Sequence, residues 1–135
     1  MEESLIKKYK IYIKSLFTFM SENGYTAKEM PKIVLDNRDQ GDDIFIKTGY
    51  FDPQINGIRL FINGRAMKDV LRTCAHELVH FKQQVDGDIA KSGYSSDKIT
   101  EDKNLIHLEA EAYLKGNMAF RSWTETEQKK EGGLR

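Results

Sequence analysis

Two histidines and a glutamate within five residues are the part of this sequence best suited to chemistry. They form the segment His76-Glu77-Leu78-Val79-His80. On an α-helix, positions i and i+4 lie one turn apart on the same face, so His76 and His80 can direct their imidazole nitrogens at one point. A tetrahedral zinc ion needs this arrangement. Glu77 would project beside the ion, where its carboxylate can accept a proton from a metal-activated water.

The surroundings of this segment favour zinc over an ordinary buried pair of histidines. The chain has three histidines, and the segment uses two of them. Apolar residues surround the pair, as in a helix buried in a domain core: Val70, Leu71, Ala75, Leu78, Val79 and Phe81. Cys74 lies two positions before His76 and so points away from the ligand face, which indicates a small packing residue and not a zinc ligand or nucleophile. We therefore predict a Zn²⁺ ion held by His76 and His80.

A catalytic zinc ion normally takes three protein ligands and a water molecule, so a third ligand must come from elsewhere. Glu109 ranks first because it falls on the apolar stripe of a predicted helix, where a carboxylate is costly unless it is paired or coordinated. Glu111 and His107 lie to one side of that stripe, where they would support the ligands or face solvent. Asp86 is a further candidate for the third ligand, since one zinc-binding arrangement places that ligand six residues after the second histidine. That arrangement needs a helix break, usually at glycine, where this chain has Gln83.

Apolar patterns predict a helix and a small sheet ahead of the motif. The helix is predicted over residues 4–23, and Gly24 suits its end. Short strands are predicted at residues 33–35, 44–51 and 58–62. Turn residues between the last two strands predict that these pair as a hairpin.

Two further helices are predicted after the sheet. The motif helix covers about residues 67–85, and a polar stretch with Gly87 ends it. Residues 89–96 are expected to form a mobile loop at the mouth of the site. A last helix begins after Thr100, with Tyr113 on its buried stripe. Residues 1–124 are therefore expected to form a single domain, and 125–135 a charged, flexible tail.

Composition excludes several classes of protein. The chain has 135 residues with 21 acidic and 21 basic side chains, a formal net charge of zero. This balance argues against a nucleic-acid or membrane partner. No run of residues is apolar enough to cross a bilayer, and the first residues lack the apolar stretch of a signal peptide. A single cysteine excludes an internal disulfide, so we expect a cytoplasmic, intracellular protein.

With this motif and a downstream glutamate, the chain resembles the gluzincins, the thermolysin-like zinc metallopeptidases. The segment from Asp69 to Gln83 and the run Glu109-Ala110-Glu111-Ala112-Tyr113 are more narrowly similar to small phage-encoded metallopeptidases. The resemblance covers about residues 45–123. It implies an α+β fold, a minimal zincin-like domain with an N-terminal helix, about three antiparallel or mixed strands, the motif helix and a C-terminal glutamate helix.

The resemblance also implies roles for individual residues. His76, His80 and Glu109 would be the zinc ligands, and Glu77 would be the general base. In thermolysin-like enzymes an acidic residue stands four positions after the glutamate ligand, whereas this chain has Tyr113 there. The residue that would orient the ligand histidines is therefore not predicted.

The predicted function is a zinc-dependent peptidase, a hydrolase that acts on a peptide or protein. Strand 58–62 would offer its edge to an extended peptide. Tyr94, Tyr113 and Arg121 are candidates for stabilising the transition state, although Tyr113 is expected to pack in the core.

Two alternatives are open. The chain could be a non-catalytic zinc-binding structural or interaction protein of a phage, in which the metal only stabilises the fold. Glu77 argues against this, since a structural site has no use for a base. A nucleic-acid-associated protease is disfavoured by the zero net charge.

Overall fold

The computed structural model describes residues 3–41, 47–52, 54–87 and 103–128. These residues contain three helices and a three-stranded mixed sheet. In chain order the elements are α1 (Glu3–Glu22), β1 (Lys32–Asp36), β2 (Gly49–Asp52), β3 (Gly57–Phe61), α2 (Met67–Val85) and α3 (Lys103–Gln128). This architecture confirms the predicted α+β fold. None of the described helices has the length and apolar character that a bilayer span requires.

Helix α1 is amphipathic and presents one apolar face to the rest of the domain. Its buried side chains recur at helical spacing: Tyr9, Ile13, Leu16, Phe17 and Met20. The helix ends at Glu22, one residue before its predicted end, and Gly24 just beyond it adopts a φ of +78°. The next amide, that of Tyr25, donates to the carbonyl of Met20 at 2.8 Å, which satisfies a carbonyl of the last turn.

The sheet has the order β1-β3-β2, with β3 in the centre. Strands β2 and β3 pair antiparallel, which confirms the predicted hairpin, whereas β1 pairs parallel to β3. The prediction that residues 58–62 offer an edge is wrong, because β1 occupies the second side of β3. The edges of the described sheet are β1 and β2. Residues 44–46 of the predicted second strand lie outside the described residues.

Helix α2 is the central element of the fold, since it contacts α1, α3, β2 and β3. Its buried apolar residues are Val70, Leu71, Cys74, Ala75, Leu78, Val79 and Phe81. Full burial of a single leucine or valine side chain stabilises a fold by about 1.5–3 kcal/mol, so much of the domain's hydrophobic stabilisation depends on this helix. Cys74 is a free, buried cysteine, as predicted. Burial raises the pKa of its thiol to about 12, which fits a packing residue.

Helix α3 extends beyond the predicted start of the C-terminal tail. It continues to Gln128, so residues 125–128 are helical. The reason is packing against α1: Trp123 Nε1 donates to Ser15 Oγ at 3.0 Å, and Ser15 Oγ donates to the buried Glu127 Oε1 at 2.8 Å. The predicted loop 89–96 and the residues after 128 lie outside the described part of the chain.

Candidate metal centre

His76, His80 and Glu109 come together between α2 and α3. Glu109 Oε1 lies 2.6 Å from His76 Nε2, and Glu109 Oε2 lies 3.2 Å from His80 Nε2. One ligand atom from each residue falls within 4.8 Å of the other two. The rings of the two histidines meet edge to face, with centroids 4.9 Å apart. Of the four candidates for the third ligand, Glu109 is the one that lies against both histidines.

Small residues allow the two ligand-bearing helices to approach. Ala75 on α2 and Ala112, Gly116 and Ala119 on α3 are buried. Short side chains at these positions bring the backbones close, so that side chains as short as histidine and glutamate can reach one point. The buried apolar faces of the two helices form this contact. The site lies at the edge of the contact that opens to solvent.

Glu77 lies beside the cluster, on the side that faces β2. The side chain of Glu77 is 10 % exposed, and its Oε2 lies 3.9 Å from His76 Nε2, farther than the contacts of Glu109. The backbone N–H of Phe51 on β2 lies on the other side of this carboxylate and acts to lower its pKa. Burial raises the pKa of Glu77, although the nearby histidines oppose this shift. The carboxylate is thus placed next to the cluster and outside its closest contacts.

The cluster faces a cleft of about 600 Å³. The other residues that line the cleft come from the segment around β2 and from both helices: Thr48, Gly49, Tyr50, Arg72, Thr73, Tyr113 and Asn117. The side chain of Glu109 is about one quarter exposed, and that of His80 is buried. Within the described residues, the cluster is therefore open to solvent through this cleft.

The electrostatics of the cluster favour a cation at its centre. Burial opposes ionisation of Glu109, but hydrogen bonds with His76 and His80 outweigh it and lower the pKa of the carboxyl to about 2. Burial also disfavours a charged His80, yet the carboxylates of Glu109 and Glu77 reverse this and raise the pKa of its imidazole. Two imidazole nitrogens and one carboxylate form a donor set that suits catalytic zinc, so the residues fit such an ion.

Comparisons with family models, curated proteins and solved structures give no match to this chain. The geometry of the metal centre is therefore the basis for assigning a function, and membership of the gluzincins stays a prediction.

Three predicted residues lie away from the centre of the cluster. Glu111 accepts a hydrogen bond from Gln83 Nε2 at 3.0 Å and pairs with Lys115 at 3.3 Å. His107 is exposed on α3 and is not among the residues that line the cleft. Asp86 follows the last residue of α2 and pairs with Lys82 at 2.6 Å. Asp86 lies apart because α2 does not break at Gln83, so the chain cannot turn back toward the histidines.

The candidates for transition-state stabilisation have different positions. Tyr113 is 60 % exposed and its ring centroid lies 4.3 Å from that of His76, so the prediction that it packs in the core is wrong. It stands one residue after the buried Ala112 and therefore turns toward the cleft. Arg121 is largely exposed, pairs with Glu125 at 3.6 Å and is not among the residues that line this cleft. Tyr94 lies outside the described residues.

Gln83 is a site residue that sequence reasoning missed. It is 1 % exposed, and its side chain contacts both His80 and α3. A signal was available, since Gln83 follows His80 by three residues and stands on the same face of a helix. An amide at a buried position needs partners, and the nearest polar group on that face is the His80 imidazole.

Proposed function

We propose that this protein is a zinc-dependent peptidase. The observation that carries the proposal is the convergence of His76, His80 and Glu109 at an open cleft, with the buried carboxylate of Glu77 beside them. Two imidazoles and a carboxylate leave a fourth position of a tetrahedral ion free for water, as catalysis requires.

Each residue has a defined task in this proposal. A bound zinc ion would supply Lewis acidity, activating a water molecule and polarising the substrate carbonyl. His76, His80 and Glu109 would hold the ion. Glu77 would accept a proton at Oε2 and deliver it to the leaving amine. The backbone N–H of Phe51 acts to lower the pKa of that carboxyl and so favours the charged form that accepts a proton.

Strand β2, and not β3, would bind an extended peptide. The amide of Phe61 donates to the carbonyl of Thr48 at 3.1 Å, so in this antiparallel ladder the backbone groups of Gly49 and Phe51 face away from β3. The Phe51 N–H is directed at Glu77, so the groups left for a substrate strand are those of Gly49 and the carbonyl of Phe51. Gly49 lines the cleft, and β2 has a free edge within the described sheet. A substrate strand paired there would pass the metal centre, and its backbone would recognise peptides irrespective of side chain.

The alternative of a non-catalytic zinc protein explains less of the site. A purely structural zinc ion takes four protein ligands and is closed to solvent. Here the described residues supply three ligand atoms that face a cleft. Burying Glu77 beside Glu109 costs free energy, and a structural site gains nothing in return. A structural or interaction role in a phage is therefore the second candidate.

A Glu77→Gln variant tests the proposal. The wild-type protein should bind about one zinc per chain and cleave members of a peptide library in a manner that a chelator abolishes. The variant should bind zinc equally well and lose cleavage, because an amide of the same shape cannot accept the proton. Glu125→Gln, an exposed change on α3, is the matched control and should cleave normally. Zinc-loaded wild type that cleaves no better than Glu77→Gln would refute the peptidase assignment.

A further inference from the structure

We propose that Gln83 is a positioning residue of the metal centre. It would fix the proton on His80 Nδ1, leave Nε2 free to bind the ion, and join α2 to the part of α3 that carries Glu109. This inference rests on the metal site of the proposed function, but not on the peptidase activity.

All the polar groups of the Gln83 side chain are engaged. Its Oε1 lies 2.8 Å from His80 Nδ1, while its Nε2 donates to the carbonyl of Leu108 at 2.9 Å and to Glu111 Oε1 at 3.0 Å. The residue is 1 % exposed. A buried polar network that is fully satisfied holds its members in one arrangement, because breaking any bond leaves a desolvated group without a partner.

The partners decide which end of the amide faces which group. The carbonyl of Leu108 can only accept a hydrogen bond, so the NH₂ end of Gln83 must face α3. Its oxygen must then face His80, and an oxygen can only accept. His80 Nδ1 is therefore the donor and carries a proton. In a neutral ring the lone pair then lies on Nε2, the atom that points toward Glu109 at 3.2 Å.

The other ligand histidine is held differently. His76 Nδ1 is buried and has no hydrogen-bond partner in the part of the chain that the structure describes. Its ring lies between those of His80 and Tyr113, with centroids 4.9 Å and 4.3 Å away. Apart from its contact with Glu109, His76 is thus positioned by ring contacts, whereas His80 also has a hydrogen bond at Nδ1. We expect loss of Gln83 to act through His80.

Gln83 also sets the spacing between the two ligand-bearing helices. Leu108 immediately precedes Glu109, and Glu111 follows it by two residues. The Gln83 amide therefore links His80 on α2 to the turn of α3 that carries Glu109. Groups that orient metal ligands typically contribute 10–100-fold to metal affinity.

Zinc affinity and the visible spectrum of bound Co²⁺ test this role in the purified full chain. Gln83→Leu removes all three hydrogen bonds and should weaken zinc binding by roughly 10–100-fold and alter the Co²⁺ spectrum. Thr26→Val is the matched control, since Thr26 Oγ1 is buried and donates to the carbonyl of Leu78 at 2.7 Å without touching a ligand. The control should lower stability and leave both metal readouts unchanged.

A double variant that conserves charge, Gln83→Glu with Glu111→Gln, covers the case in which Gln83→Leu fails to fold. Gln83→Glu keeps one oxygen for His80 but turns the other toward the Leu108 carbonyl and Glu111, which can only accept hydrogen bonds, so zinc binding should weaken. Adding Glu111→Gln returns a donor to the pair and should recover at least several-fold of that loss. In zinc-loaded protein, the proton resonance of His80 Nδ1 should shift in Gln83→Glu and return toward its wild-type position in the double variant.

The outcomes separate this inference from the peptidase assignment. Weakened binding in the Gln83 variants, rescued in the double variant, supports the inference even when no peptide is cleaved. A folded Gln83→Leu protein with wild-type zinc affinity and Co²⁺ spectrum overturns it. A wild-type protein that binds no metal overturns the inference as well. A double variant whose zinc affinity is no higher than that of Gln83→Glu also overturns it.

Discussion

Gly116 on α3 lies directly against the backbone of His76 on α2. A Cβ atom at position 116 would come within 2.9 Å of His76 Cα and 3.1 Å of its amide nitrogen. Backbone atoms of a packed helix cannot move aside as the end of a flexible side chain can. The distance between the helices at the cluster of His76, His80 and Glu109 therefore depends on the absence of a side chain at Gly116.

We expect Gly116→Ala to destabilise the fold and weaken zinc binding. Overpacking costs roughly 1–3 kcal/mol, against a gain of about 1 kcal/mol in helix propensity. Separation of the helices also moves Glu109, two turns earlier on α3, away from the histidines. Urea denaturation and zinc titration measure the two effects. Met118→Ala, a change at a half-exposed position of the same helix, should leave zinc binding intact. A Gly116→Ala protein with wild-type affinity would contradict the close-contact explanation.

Removal of metal should lower the thermal stability of the wild-type protein. An ion that binds only the folded state stabilises it by about 2.7 kcal/mol at a free concentration of 100 Kd. For a chain of this size that corresponds to a shift in Tm of roughly 10 °C. Calorimetry with zinc and then with excess chelator measures the shift. His80→Ala removes a ligand and should unfold at the same temperature in both conditions. An equal shift in this variant would place the stabilising ion elsewhere.

Asp36 should make the fold sensitive to acid. Hydrogen bonds from the side chain and backbone of Arg38, together with one from Arg59, lower the pKa of this carboxyl from 3.8 to about 2. The folded state then holds fewer protons than the unfolded state between these values. The stabilisation is therefore complete above about pH 4 and is lost as the pH falls toward 2.

Asp36→Asn should lower the free energy of unfolding at pH 7 and flatten its decline in acid. Denaturation of metal-free protein at a series of pH values measures this without a contribution from metal release. Asp39→Asn, an exposed change in the following turn, is the control and should keep the wild-type slope. Parallel curves for Asp36→Asn and the wild type would argue against the predicted role of Asp36.

Ser15→Ala should destabilise the contact between α1 and α3. Ser15 Oγ accepts from Trp123 Nε1 and donates to Glu127 Oε1, so its removal leaves the buried indole N–H without this acceptor. The expected loss is about 1–3 kcal/mol. Trp123 is the single tryptophan of the chain, so its fluorescence reports unfolding directly. Ser122→Ala, at an exposed position on α3, should change stability by less than about 0.5 kcal/mol. Equal effects of the two changes would mean that the network contributes little.

Local patterns in the sequence were sufficient to predict the helices and to pair the two histidines of the candidate site. Helix α2 was predicted over residues 67–85 and spans Met67–Val85, because its apolar periodicity and the glycine after its end are properties of neighbouring residues. The same holds for His76 and His80, since a spacing of four residues places two side chains on one helical face whatever the helix packs against.

Long-range packing decided the remainder. The choice of Glu109 over Glu111 and His107 depends on how α3 is rotated against α2, and residues far apart in the chain set that rotation. Strand β3 became central because β1 pairs with its second side, which no pattern within residues 58–62 reveals. Tyr113 faces the cleft and Gln83 reaches His80 for the same reason. Side-chain partners across elements depend on the tertiary fold, and the periodicity of one element records only which face is buried.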